Sequence, residues 1–531
     1  MVTARRQSDP LLVAAYLTLG CIVVSPVFLV ATPPLVDYPM HLARMWILRH
    51  AAEDPTLAAN YVVHWRLVPY LAMDLAVPVM ALVMPVALAG KLFLAATMAL
   101  PIGGTAALHR ALFGRVGWWP LASILFVYNA VLFFGFLNCL FGIGIFLFAF
   151  AGWIASAAWR PAWRIPVFAL IAALLFTLHL FAFGLYGLAV ASWELGLAAT
   201  GRSARRDQVA TLLLAALQFV PALLLWVAVV TVSAGGSDYA RYGSLNDKLF
   251  ALFAATSFAD PPTAFDLVFW LVAAAALAAG LLQGQLRIAP RMKPVLAALL
   301  IAAAAMPNWL GGSWGADFRL PAILPFLAIA AIEARPSPRP LAAVAGVLAA
   351  ALLALRLWGV VGLWQDSDRR IAEFRAADEV MTPGARLLPV FGAMPAEAQA
   401  LRGIPPWLAR RQEYDLTHLD AFAVIDRAAF VPDIFIAWMT VDAAPRHAGQ
   451  HQIAGTPVDP DLLRRSADPS SARTLAAGPD IFGDMPFWRD WPQRFDYVLW
   501  IDYGIAPTDL PAMLKPIAHG SYFHLYRIEH G

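Results

Sequence analysis

The strongest constraint in this sequence is a succession of long apolar runs that fills the chain from Leu11 to about Gly362, interrupted only by short polar breaks. A helix that crosses a bilayer needs about 20 mainly apolar residues. Eleven runs meet or approach this length: Leu11 to Thr32, Val86 to Leu108, Val116 to Phe134, Leu137 to Ala157, Ile165 to Phe181, Gly184 to Ala199, Val209 to Val232, Leu267 to Leu286, Pro294 to Met306, Leu320 to Ile332 and Leu341 to Leu363. The chain is 60% hydrophobic and 14% charged, against roughly a quarter charged in an average soluble domain. The first run follows Arg5 and Arg6 and exceeds a signal-peptide core, so it reads as a transmembrane helix. The expected fold is mainly α, a polytopic membrane protein of about 11 spans with a soluble α/β domain at its C-terminus.

Charge orients these spans. Short cytoplasmic loops are enriched in Arg and Lys. With the N-terminus inside, the inner loops are Arg110 to Arg115, Arg160 to Arg164, Arg202 to Arg206, Arg287 to Lys293 and Arg335 to Arg339, and all five are basic. The apolar stretch from Ile165 to Ala199 must then cross twice, and an odd number of crossings leaves the C-terminus outside. The expected location is the inner (plasma) membrane, multi-pass, with residues 1–364 in the membrane and 365–531 as a periplasmic or extracytoplasmic domain. A net charge of +3, with Arg scattered between apolar runs, excludes a nucleic-acid footprint. Cys21 and Cys139 both lie in apolar runs and offer no disulfide framework.

The polar residues that can do chemistry gather in the outer segments. The first outer loop, residues 33–85, opens Pro33-Pro34-Leu35-Val36-Asp37-Tyr38-Pro39-Met40-His41-Leu42-Ala43-Arg44. Pro39 suits a first helical turn, and Asp37 just upstream can cap it or complement its positive end. On that helix Asp37 and His41 are four apart and His41 and Arg44 three apart, so they share a face. Pro69 to Met84, an apolar stretch carrying Asp74, is too short to span and reads as a second helix lying in the interface. His64 lies between the two.

This order resembles the GT-C superfamily of membrane glycosyltransferases: a first span, an outer loop with an acidic residue near its start, two juxtamembrane helices, then the next span directly. Asp37, Pro39 to Ala52, Pro69 to Met84 and Val86 onward match it. One departure is that many members carry two adjacent acidic residues here, whereas Asp37 is followed by Tyr38. The resemblance implies transfer, with inversion, of a sugar from a polyprenyl-phosphate donor to an acceptor glycan, lipid or protein on the outer face, with membrane lipid as surroundings.

Such transfer needs a base for the acceptor hydroxyl and a cation for the departing phosphate. Asp37 is the candidate base, and His41 can orient it, bind a metal or contact lipid headgroups. Arg44 and Arg319 are the leading phosphate contacts, Arg319 beginning a span beside Asp317 below a Trp-rich loop; Arg241 and Lys248 are further outer cations. Asn138 and His179 fall near outer helix ends, and polar groups within spans are functional candidates by default. Tyr38, next to Asp37, completes the set. No HExxH or clustered Cys marks a zinc site, so the metal is unassigned, and a divalent cation held by carboxylates stays open.

From Asp366 the pattern changes. Ile371 to Met381 has helical spacing, and Ala385 to Val390, Asp496 to Ile501 and Phe523 to Ile528 read as strands, the middle one apolar enough to be central. Phe487 to Trp491 is an aromatic segment that reads as a buried cluster. This domain carries no phosphate loop, nucleophile elbow or metal motif, which puts the chemistry in the membrane part. Two other readings remain: a lipid or polysaccharide transporter or flippase, expected to show mid-membrane ionisable groups and broken helices in both halves, and a non-catalytic assembly protein for envelope polysaccharide.

Overall fold

The computed structural model describes residues 9–200, 205–232, 240–257, 259, 261–310, 313–336, 338–412, 414–435, 440–447, 458–467, 488, 490–505 and 507–529. Among these, seven helices are long and apolar enough to cross a membrane: Pro10–Phe28, Val86–Phe113, Leu137–Ala155, Pro161–Leu178, Leu180–Leu197, Ala264–Leu282 and Pro340–Val380. The pair Gln208–Leu217 and Val220–Ala228, bent by 45° at its break, makes an eighth if it forms one span. Large apolar side chains such as Leu170, Leu213, Leu271, Ile301 and Val347 are exposed along the helices, as lipid-facing positions should be.

The expected count of eleven is not confirmed among the described residues, and imino acids and glycines shorten several of the expected spans. The run Val116 to Phe134 folds as a 3-10 helix, Trp119–Phe126, followed by the single turn Ala130–Phe133. It ends at Gly135, whose positive φ of 78° stops the helix. Lys293–Ala305 stops after 13 residues, because Pro307 holds Met306 in an extended conformation. Ala316–Ala331 has 16 residues and carries Pro321 and Pro325 inside it. The stretch expected to cross twice is divided at His179, which is extended (φ −167°, ψ 122°) between Pro161–Leu178 and Leu180–Thr200.

Three of the basic loops share one end of the bundle. Strand Leu286–Ile288 pairs antiparallel with Ile332–Ala334, and Arg115 reaches Glu333 at 3.4 Å. The basic loop at Arg202 lies largely outside the described residues.

At the other boundary the chain leaves the bundle on one continuous helix, Arg339–Ala377, of 39 residues. At 1.5 Å per residue it is about 58 Å long, far more than the ~30 Å hydrocarbon layer. The expected boundary at residues 364/365 falls inside this helix. Beyond it lies a four-stranded sheet in the order Leu514–His519, Phe523–Ile528, Tyr497–Ile501, Leu387–Phe391, antiparallel except for the last pair. Tyr497–Ile501 is buried throughout and internal to the sheet. The strand Leu514–His519 lacks apolar alternation, with Lys515, Pro516 and His519 in it, and was not expected.

Two apolar cores divide the molecule, and the helix Tyr38–His50 belongs to both. Tyr38, Leu42 and Met45, on one helical face, pack into the membrane core. Met40, Ala43 and Ile47, on the opposite face, pack into the core of the C-terminal domain with Phe422, Val424 and Phe430. A helix apolar on opposite faces is one buried on both. The loop that carries it is further stitched to the domain by strand Tyr61–Val63, which pairs antiparallel with Val441–Ala443.

Candidate functional site

Asp37 stands at the N-cap of this shared helix. Its backbone N–H donates to Phe134 O at 3.1 Å, and its own carbonyl accepts from His41 N at 3.0 Å. Its carboxylate makes no capping hydrogen bond, so the side chain is not spent on the helix. The turn at Gly135 holds it from below: a Cβ there would lie 2.8 Å from Asp37 N and 3.1 Å from Tyr38 N. Only glycine fits this turn.

Around Asp37 the two halves of the molecule meet. His418, from the C-terminal domain, places Nε2 at 3.8 Å from Asp37 Oδ1. Burial pushes the Asp37 carboxyl up to about 6, against the opposing pull of His418, Arg319 and Arg44. A carboxylate in that range is largely ionised near neutrality and basic enough to accept a proton. His41 is held well below the usual imidazole range by its burial and by Arg44, so it is neutral; its Nδ1 has no hydrogen-bond partner.

The cations differ in how much they have to spare. Arg44, fully buried, grips Asp74 with Nε (3.1 Å) and Nη2 (2.7 Å), and Thr440 Oγ1 donates to the same carboxylate at 2.6 Å. Arg44 thus locks the first surface helix to the second, Ala72–Met80, and only its Nη1 lacks a partner. Arg319 donates from Nη2 to Ser313 Oγ (2.9 Å) and Trp314 O (2.8 Å) and lies 4.3 Å over the Phe136 ring. Its buried Nε has no partner. Phe134, Phe136, Trp314, Phe318 and Tyr414 form the aromatic wall beside it.

The other expected residues are placed as follows. Asn138 accepts from Met73 N (2.8 Å) and donates to Tyr70 O (2.6 Å), fixing the start of the second surface helix. His179 packs edge-on against Tyr70, ring centroids 4.7 Å apart, within reach of the Arg319 charge. Tyr38 is buried with its hydroxyl unpartnered. Asp317 accepts from Asn308 Nδ2 (3.1 Å) and faces Lys248 Nζ at 3.5 Å. Arg241 is exposed in a two-residue strand opposite Trp309, and His64 is exposed, donating its backbone N–H to Thr440 O. Neither touches Asp37.

Sequence reasoning missed His418, together with Asp420 and Asp433 beside it. The three offer ligand atoms within 4.8 Å of one another. No local signal singled them out: His418 and Asp420 lie in a polar run of turns, residues 414–420, just before the helix Ala421–Arg427, and Asp433 follows that helix.

The architecture defines a class: a helical membrane protein with a soluble α/β domain at one end and a polar cluster at the junction. No family model matches the chain, and no curated protein matches it. Among solved structures it is similar to the crystal structure of ArnT from Cupriavidus metallidurans bound to undecaprenyl phosphate, at 14% identity over 97% of each chain, with a TM-score of 0.47.

Proposed function

We propose that this protein is an inverting membrane glycosyltransferase that moves a sugar from a polyprenyl-phosphate donor to an acceptor hydroxyl on the outer face, with Asp37 as general base. The observation that carries this reading is the Asp37 carboxylate itself: uncapped, partly accessible, raised to about 6, and set beside His418 at the domain junction within the field of Arg319 and Arg44. The order of elements in the first loop, as in GT-C enzymes, supports it.

In this mechanism the Asp37 carboxylate takes the acceptor O–H proton, and the freed oxygen attacks the anomeric carbon. The bond from that carbon to the phosphate oxygen breaks, and polyprenyl phosphate leaves with the electron pair. The unpartnered Nε of Arg319 faces the charge that grows on the phosphate, the role in which a preorganised donor lowers a barrier most. His41, neutral, orients rather than neutralises. His179, Asn138 and Tyr38 shape the wall, while Lys248, Asp317, Arg241 and His64 are assigned to substrate approach.

Membrane vesicles supplied with polyprenyl-phosphate sugars and outer-leaflet acceptors test this. Asp37→Asn should lower transfer by roughly 10²- to 10⁴-fold, the usual worth of a general base, with insertion and melting temperature unchanged. Undiminished transfer by the variant overturns the assignment.

A further inference from the structure

We propose that His418, Asp420 and Asp433 bind one divalent cation of the zinc or manganese type, at the face of the C-terminal domain that meets Asp37. The link to catalysis rests on the glycosyltransferase reading; the binding site itself does not.

The geometry is that of a donor set without a recipient. One nitrogen of His418 and one oxygen from each aspartate all lie within 4.8 Å of one another, and His418 Nδ1 is 3.7 Å from Asp433 Oδ2. Asp420 is fully buried, at 0% exposure, and neither of its oxygens has a hydrogen-bond partner. It precedes the helix Ala421–Arg427 yet makes no capping bond. Asp433 Oδ1 and His418 Nδ1 are buried and equally without partners. Two carboxylates brought together away from water, with only the backbone N–H groups of Asp420 and Ala421 near enough to act on one of them, are unfavourable unless a proton or a cation is shared between them. The imidazole nitrogen turned into the same point favours the cation.

Ligand chemistry narrows its kind. Calcium and magnesium prefer sites built from oxygen alone, whereas one imidazole with two carboxylates suits zinc or manganese and leaves coordination positions open. Phe435 flanks the site, with ring centroids 5.8 Å from His418 and 5.3 Å from His41. With Nδ1 on the metal, the Nε2–H of His418 faces Asp37 Oδ1 at 3.8 Å. A metal-bound histidine commonly presents its second N–H to a carboxylate, which fixes the tautomer. Here that carboxylate is the proposed base, so the metal would make His418 a positioning residue for Asp37.

The test uses the full-length chain without a histidine tag, purified in detergent, stripped with chelator, incubated with zinc or manganese chloride and dialysed. Elemental analysis should find about one equivalent per chain, and the metal should raise the melting temperature. The Asp420→Asn/Asp433→Asn variant should lose both effects, and His418→Gln, at a partly exposed position, should weaken retention at least tenfold. Asp37→Asn, which keeps all three ligands and alters only the outer partner of His418, should retain more metal than the double variant. Failure of the parent protein to retain metal, or retention unchanged in the double variant, overturns the site. A more stable Asp420→Asn variant of a protein that holds no metal also overturns it, showing a shared proton instead. Stoichiometric metal in a protein without transferase activity upholds the site and rejects the glycosyltransferase reading alone.

Discussion

Single residues at the junction are distinguished by whether their polar atoms are already committed. Arg44 is committed: a bidentate, fully buried contact to Asp74 joins the two surface helices, and in a buried pair removal of one partner strands the other charge. Asp37 is not: its carboxylate makes no capping hydrogen bond, as the proposed base requires. Asp378 shows the cost of an uncommitted group without a function. It is 1% exposed, both its oxygens lack hydrogen bonds, and Arg427 Nε stands off at 4.0 Å. Burial and the neighbouring Asp426 raise its carboxyl to about 7. Because the folded value lies above the unfolded one, folding favours the neutral acid; this contribution is complete below about pH 4 and is lost as pH rises to about 7. Asp378→Asn should therefore melt with a flatter pH dependence across that window, and its advantage over the parent should grow toward pH 7 and above. A melting-temperature difference that does not change with pH contradicts this.

At the scale of elements, the helix Tyr38–His50 and the turn beneath it form one positioning device. The helix is fixed from both sides by apolar packing, and its first residue is fixed by the hydrogen bonds of Val36 N to Phe133 O and Asp37 N to Phe134 O. Gly135 permits this approach through its φ of 78° and its missing side chain. Gly135→Ala meets both barriers: about 1–2 kcal/mol for an L-residue in the left-handed region, and contact with the Asp37 backbone. We expect a lower melting temperature and a loss of transfer of roughly tenfold or more, since a displacement of about 1 Å at a reacting group is enough for that. Transfer rates and melting curves on the same preparation check it. Both helices of the first loop were legible in the sequence, because Pro39 and the change from apolar to mixed composition mark their ends locally, although the burial of Tyr38–His50 on both faces was not. The turn was not, since nothing near Gly135 announces that another loop will lie against it.

For the whole molecule, the first loop is as much part of the C-terminal domain as of the membrane bundle. Asn60, fully buried, donates to Ala428 O at 2.7 Å and Gly384 O at 3.3 Å, while its carbonyl oxygen meets His447 Nε2 at 2.6 Å. Next to it Tyr61–Val63 and Val441–Ala443 form their two-stranded ladder. Asn60→Ala leaves these buried groups unsatisfied, at about 1–3 kcal/mol. Hydrogen exchange of residues 61–63 and 441–443 should accelerate roughly tenfold or more, while exchange in Leu137–Ala155 stays as it was. Equal protection in both proteins argues that the loop and the domain are not held by this contact.

The sequence by itself determined the membrane class, most of the spanning helices, the two helices of the first loop and three of the four strands of the larger sheet, and it singled out Asp37 as the candidate base. These follow from length, composition and local spacing, which a bilayer or a helix reads one segment at a time. The count of spans is less legible where Pro120, Pro307, Pro321 and Pro325 shorten or tighten helices within apolar runs, because hydropathy does not register backbone geometry. Only the tertiary structure decided which polar residues share a site. Arg44 was legible as a cation but not as the partner of Asp74, and His418, Asp420 and Asp433 carry no pattern that links them to Asp37. Such contacts come from closing long loops around two cores, so their information lies in how distant faces fit rather than in any neighbourhood of the chain.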